Sequence, residues 1–386
     1  MKLFFKKNIS KYTIFRVLVL SFILLLSINS FSAQASGHEK ISSSVLKAKV
    51  LEIISEVEKE SEDGQIFSQQ DLLLEIIQGE RKGEEIKYFG ISEIEVLSVN
   101  LYQKGNQVFV DSYTDENNEE IFYVVDSVRT KPIIILLILF LAIVFLVARS
   151  KGFKALLSLI LSFLVIIKFI IPRILAGSDP FIISLLGGLA IMIFIIYLTE
   201  GWQRKSHLSI LAVFVSLCVI LLLSLIFVSL TNLSGLAQGE AIYLMGAGDI
   251  SINFRGLLLA GFIIGAIGVL DDIIVGQIET TESLREANSN LSKKEIFRLA
   301  YKVGNTHLGA IINTLFLTYA SVALPLLLLF VLNDTKGLNL ERFISTEVVS
   351  TEILRTLIGS IGVVLSMPVA TYFGAYYGQR KREKKQ

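Results

Sequence analysis

The chain holds one cysteine, Cys218, among 386 residues. One thiol cannot close an internal disulfide, and a cysteine-based metal site is excluded with it. Cys218 falls inside an apolar run, where an isolated cysteine reads as a small buried hydrophobe. Excess charge is also missing. Lys and Arg number 36 against 35 Asp and Glu, a formal net charge of +1, so nothing draws the chain as a whole to nucleic acid. No Walker loop, His-Glu-x-x-His, Gly-x-Ser-x-Gly or sustained repeat is present. No residue is assigned a catalytic role.

What is abundant is apolar sequence. Hydrophobic residues make up 53% of the chain and mean hydropathy is +0.64. They cluster in runs long enough to cross a bilayer, which needs about 20 apolar residues. Seven runs qualify: Pro132–Ala148, Phe153–Ile171, Phe181–Thr199, Leu208–Leu230, Gly256–Val275, Leu308–Leu332 and Thr351–Tyr377. The expected fold is a membrane all-α bundle of about seven transmembrane helices (132–378), preceded by a small extracytoplasmic β-rich domain (36–131) and followed by a basic cytoplasmic tail (379–386).

The first 35 residues have the form of a secretory signal. Lys2, Lys6, Lys7, Lys11 and Arg16 precede the apolar core Val17–Ile28, and Ala33-Gln34-Ala35 offers a small-x-small cleavage pattern. Retention as an N-terminal anchor is the alternative, and both place the next segment outside the cytoplasm. That segment alternates β-like stretches (Val45–Ile54, Asp71–Ile77, Ile86–Phe89, Val108–Ser112, Ile121–Val125) with turn signals at Gly79–Gly83, Gly105-Asn106 and Asp115–Asn118. Short strands at this spacing suggest a small barrel or sandwich, suited to docking a protein partner.

Charge placement fixes the expected orientation. Arg149, Lys151 and Lys154, then Arg204 and Lys205, then Arg285, Lys293, Lys294, Arg298 and Lys302, then the tail from Arg380 to Lys385 fall on one side. The other side carries only Arg173, Lys336 and Arg342, with Arg255 at a helix edge. Seven crossings put the first set in the cytoplasm.

Within the fifth run, Gly261, Gly265, Gly268 and Asp272 share one helical face. Gly261-x-x-x-Gly265 allows close helix approach, so this face is expected to meet other helices. Asp272 lies about 25 Å along the axis from Arg255, at the inner edge of the hydrocarbon. Carboxylates at membrane depth are costly and are kept for ion pathways, proton relays or tight pairing. Asp271 and Asp272, with Glu279, Glu282 and Glu286 beyond them, therefore suggest an oxygen-rich site for a hard divalent cation or for protons. The alternative is pairing of the two aspartates with Arg285, Arg298 or Lys302. In the sixth run His307, Thr314, Thr318, Ser321 and Pro325 lie within about 40° of one face, with Asn313 elsewhere. His307 is read either as a proton or metal ligand or as a capping, interfacial side chain. Pro325 is expected to kink its helix and Pro368 to interrupt the last one. Glu352 and Arg355 fit a local i, i+3 ion pair, followed by Gly359 and Gly362 at packing positions.

Three blocks together resemble the YibE/F-like family of bacterial multi-pass membrane proteins. They are Gly268-Val269-Leu270-Asp271-Asp272; Gly304-x-x-His307-x-Gly309 leading to Asn313-Thr314-Leu315 and Leu324-Pro325-Leu326-Leu327-Leu328; and Glu352–Gly362 through Pro368. Thr306 stands where the family pattern often has an acidic residue, and Ser321 where it often has glycine. The resemblance implies the architecture and a permease-like role, and supplies no substrate or catalytic residues. The leading reading is a transporter or permease binding a cation or proton at Asp271, Asp272 and His307, with Thr314, Thr318 and Glu279 nearby. A non-transporting scaffold or sensor and a membrane-embedded metal-dependent hydrolase are the rivals. The implied surroundings are the lipid bilayer and a protein partner for the external domain; cofactor and oligomeric state stay open.

Overall fold

The computed structural model describes residues 45–60, 66–91, 101–114, 120–237, 239–246, 252–333 and 339–378. The signal-like segment, His38, the Asp115–Asn118 turn, Lys336 and the basic tail lie outside the described residues. The chain divides into two compact units, residues 34–147 and the helices from Ala148 onward.

The first unit is built on five antiparallel strands: β1 (Leu46–Glu60), β2 (Ile66–Ile76), β3 (Glu85–Phe89), β4 (Gln107–Thr114) and β5 (Glu120–Ser127), in the order β3-β2-β1-β4-β5. All five β-like stretches of the sequence are strands. Alternation explains why. Leu46, Ala48 and Val50 on β1, Leu72, Leu74 and Ile76 on β2, and Val108 and Val110 on β4 point to one buried face, the period-2 pattern of a sheet with one dry side. The long β1 shifts register between Val50 and Glu52 and between Ile53 and Ser55, and such bulges increase bend and twist. β3 approaches β5, so the sheet curls towards a barrel with the neighbour order of the OB-fold. Arg81, in the β2–β3 loop, closes that seam. It donates to Glu84 and to Glu120 at the start of β5, each at 2.7 Å, and lies 5.3 Å from the centre of the Phe122 ring. The loop turns through Gly79 and Gly83, with φ of 94° and 91°, values that glycine tolerates best.

Ten α-helices follow among the described residues: α1 (Thr130–Val165), α2 (Ile171–Leu175), α3 (Pro180–Glu200), α4 (Arg204–Leu230), α5 (Gly239–Gly246), α6 (Phe254–Ala287), α7 (Lys293–Val322), α8 (Leu324–Asn333), α9 (Leu340–Ile344) and α10 (Glu347–Tyr377). Five are long and apolar enough to cross a membrane, or six if the bent pair α7–α8 is one span. Five or six apolar spans stand where seven were expected, and the difference lies at the start: Pro132–Ala148 and Phe153–Ile171 fall in the stretch Thr130–Leu175, which is two helices joined across a kink at Arg149 (φ 47°, ψ −127°). The bend expected at Pro325 is real: α7 and α8 meet at 61°. Proline cannot donate its backbone N–H and crowds the carbonyl four residues back. Pro368 differs, since α10 runs through it uninterrupted.

The core of the helical unit gathers α3, α4, α6 and α10. Met192, Ile196, Leu217, Ile220, Ile263, Leu270 and Ile274 are its fully buried large side chains. A smaller cluster of Ile273, Leu308, Leu315, Val363 and Met367 seats α7 against α6 and α10. Cys218 is exposed on α4, not buried as its run suggested: the helix gives one face to the core and leaves the rest outward.

Candidate functional site

α6 starts where Asn253 caps it by accepting from the Gly256 N–H, and it runs past the apolar stretch to Ala287. The acidic residues beyond Gly276 are therefore on the same rigid rod as Asp271 and Asp272. The buried face of this rod carries Phe262, Ile263, Ala266, Ile267, Leu270, Ile273, Ile274, Gln277 and Ile278. The glycine face is open. A methyl group placed on Gly261 or Gly268 would meet no atom within 4 Å, and one on Gly265 would meet only the Tyr319 hydroxyl, at 3.4 Å. Among the described residues of the chain, no helix packs closely on these glycines. Burial scales with apolar area, so the isoleucine, leucine and phenylalanine rows take the seam and the glycine row is left on an exposed face of the helix.

Asp272 continues that exposed face. It lines a cavity of about 290 Å³ with Gly276, Gln277, Thr280, Gly304 and His307. Two of the expected site residues, Asp272 on α6 and His307 on α7, are therefore brought to one space. Asp271 lies beside them, half-buried, and its Oδ1 is buried without a hydrogen-bond partner among the described residues. Neither aspartate belongs to any ion pair among the described residues. The expected alternative, pairing with Arg285, Arg298 or Lys302, is not among the ion pairs of the described residues. The Nη2 of Arg285 donates to the carbonyls of Gly374 and Ala375, at 2.9 and 3.0 Å, near the end of α10, where a cation also complements the helix dipole.

Other expected members fall elsewhere. Glu279 is held by Lys205 at 2.6 Å, and the same ammonium reaches Glu200 at 2.8 Å. Thr314 is exposed on α7 and donates to the Ala310 carbonyl, and Thr318 is exposed on the same helix. Among the described residues no three His, Cys, Asp or Glu side chains converge as a metal-binding group. The five-carboxylate surface is a row along a rod, spread over four helical turns. His307 is not a helix cap: α7 begins fourteen residues earlier, at Lys293, behind a capping box of Ser292 and Glu295.

The floor of the cavity was not legible from motifs. Gln277 is buried and its Nε2 donates to the Ala300 carbonyl on α7 at 2.7 Å and to Thr371 Oγ1 on α10 at 2.8 Å. It thereby ties three helices at the depth of Asp272. Gly304 is the space this amide needs: a methyl there would lie 2.7 Å from Gln277 Oε1. One turn on, Gly374 is pressed against Thr281. Gly362, expected at a packing position, does pack, against Ile220 of α4, whereas Gly359 has nothing within 4 Å.

No curated protein and no solved structure matches this chain. The family model described as YibE/F-like protein matches residues 136–380, well over half of the chain and all of the helices that build the Asp272 cavity. The chain belongs to the YibE/F-like family.

Proposed function

We propose that this protein is a multi-pass membrane transporter in which Asp271 and Asp272 bind a proton or cation and His307 assists its transfer. The observation that carries this reading is the shared cavity. A carboxylate and an imidazole from different helices, both exposed, line one open cleft of about 290 Å³ between α6 and α7. Groups of this kind inside apolar spans are costly unless they serve passage or pairing, and Asp272 has no ion pair among the described residues. The charge asymmetry supports seven crossings, with the halves of α1 crossing separately about Arg149 and the Asp272 end of α6 towards the cytoplasm. The Tyr197–Trp202–His207 cluster beside Arg204 and Lys205 supports that boundary, since aromatic and basic side chains favour the membrane interface.

The test is proton flux in liposomes reconstituted with the full-length protein under an imposed pH gradient, read with a pH-sensitive dye trapped inside. Wild type is expected to conduct. Asp272→Asn is expected to lower the flux at least about tenfold, the order of effect of losing one positioned proton carrier, with its unfolding temperature unchanged. An Asp272→Asn protein as active as wild type would overturn the reading and favour a scaffold that docks partners through the β-rich unit.

A further inference from the structure

The opposite end of the α6 glycine row holds a second set of polar groups. Gly261 and Asp272 are about 16 Å apart along the axis at 1.5 Å per residue. At the Gly261 end a cavity of about 100 Å³ is lined by Gly235, Glu240 of α5, Gly261 of α6, and Thr351 and Arg355 of α10. Its polar walls are incompletely satisfied. Thr351 is 2% exposed, and its Oγ1 has no hydrogen-bond partner among the described residues. The Nε of Arg355 is buried and also lacks one. The guanidinium makes one long contact, 3.4 Å, with Glu352, and lies 5.6 Å from the centre of the Phe262 ring. The i, i+3 pair of Glu352 and Arg355 expected from the sequence is present, and the Nε of Arg355 is left over beside it.

We infer that this cavity is a binding site for a small zwitterionic carboxylate, an amino acid of two or three carbons. Arg355 presents a fork of donors suited to a carboxylate, and Thr351 adds a hydroxyl donor. Glu240, which also lines the cavity, supplies the negative charge that matches an ammonium group. Size sets the upper limit: a cavity of about 150 Å³ accommodates benzene, so about 100 Å³ admits only a few heavy atoms. That a site exists here stands on the cavity and its unpartnered donors; that its occupant is the solute carried rests on the transport reading.

Purified full-length protein is heated with glycine, alanine, acetate or methylamine, and the unfolding midpoint is followed. A ligand that binds only the folded state raises it in proportion to ln(1 + [L]/Kd). Glycine or alanine is expected to raise the midpoint dose-dependently, and acetate and methylamine to raise it far less. Arg355→Gln should abolish the effect. Thr351→Val keeps the test decisive if Arg355→Gln does not fold. It removes a hydroxyl with no hydrogen-bond partner among the described residues, so the ligand-free midpoint should hold while the apparent Kd rises about tenfold, the effect of one lost hydrogen bond to a charged group. No response of wild type to glycine or alanine would overturn the site. An equal response to acetate would overturn the zwitterion. Glycine binding that persists in Asp272→Asn while proton flux is lost supports both readings. Glycine binding without flux in wild type would remove the transport reading and leave the site.

Discussion

At the scale of the residue, the Gln277 amide shows how a single side chain can set helix positions around a cavity. Its Nε2 makes two bonds in the buried seam, to Ala300 and Thr371, and its length is accommodated by the missing side chain of Gly304. Gly304→Ala should force the amide aside, break at least one of these bonds and cost about 1–3 kcal/mol, read as a lower unfolding midpoint. Gln277→Ala in the same background should remove most of the penalty, because the clash and the bonds belong to one pair. A Gly304→Ala protein as stable as wild type would show that the seam relaxes freely. Nothing in the sequence marks Gln277, since a lone polar residue in an amphipathic run does not announce a partner 23 or 94 positions away. Asp271 and Asp272 were legible because charge in an apolar helix is rare whatever surrounds it, and His307 because it sits on the polar stripe of its helix.

At the scale of the element, the sheet is the part most directly written in the chain. Leu72, Leu74 and Ile76 are buried while Asp71, Leu73, Glu75 and Ile77 between and beside them are only half-buried, a period-2 pattern that leaves few options for register. The Arg81 clasp that joins its edges was not foreseeable, because it depends on β3 curling back to β5. It gives the unit a pH signature. The hydrogen bonds from Arg81 hold the Glu84 and Glu120 carboxyls below the usual carboxylate range. Both groups bind protons less readily folded than unfolded, so their contribution is present above the unfolded value of about 4.3 and is lost as pH falls through the lower folded values. Arg81→Met should therefore lower the unfolding midpoint of the sheet near neutral pH, and the gap from wild type should close as pH falls below about 4. Circular dichroism of the full-length protein, followed at the strand signal, checks this; a gap constant with pH would mean the Arg81 contribution is packing on Phe122 alone. The helices teach the converse lesson. The glycine row of α6 follows the small-xxx-small pattern that marks close contact, yet its larger neighbours won the seam, because a pattern of small residues permits approach without providing area to bury.

At the scale of the whole bundle, the exposed glycine row of α6 runs from Gly261, which lines the Arg355 cavity, towards Asp272, which lines the other. If solute and protons pass along it, filling the row should block passage without disturbing the fold, an unusual pairing of outcomes. Gly268 tests this best, since a side chain there meets no atom within 4 Å. Gly268→Leu replaces the residue least favourable in a helix, short of proline, with a good helix former, so the unfolding midpoint should hold or rise. Flux through the reconstituted protein should fall at least about tenfold, as for loss of the carboxylate itself. Gly362→Leu is the matched control. Gly362 touches Ile220 of α4, so a leucine there overpacks the core and should lower the midpoint by the equivalent of about 1–3 kcal/mol. Normal flux in a stable Gly268→Leu protein would mean that the row is a face turned to lipid. The two cavities would then have to communicate through movement of α6 against α7, a route that Gln277, bonded to both α7 and α10, would be placed to govern.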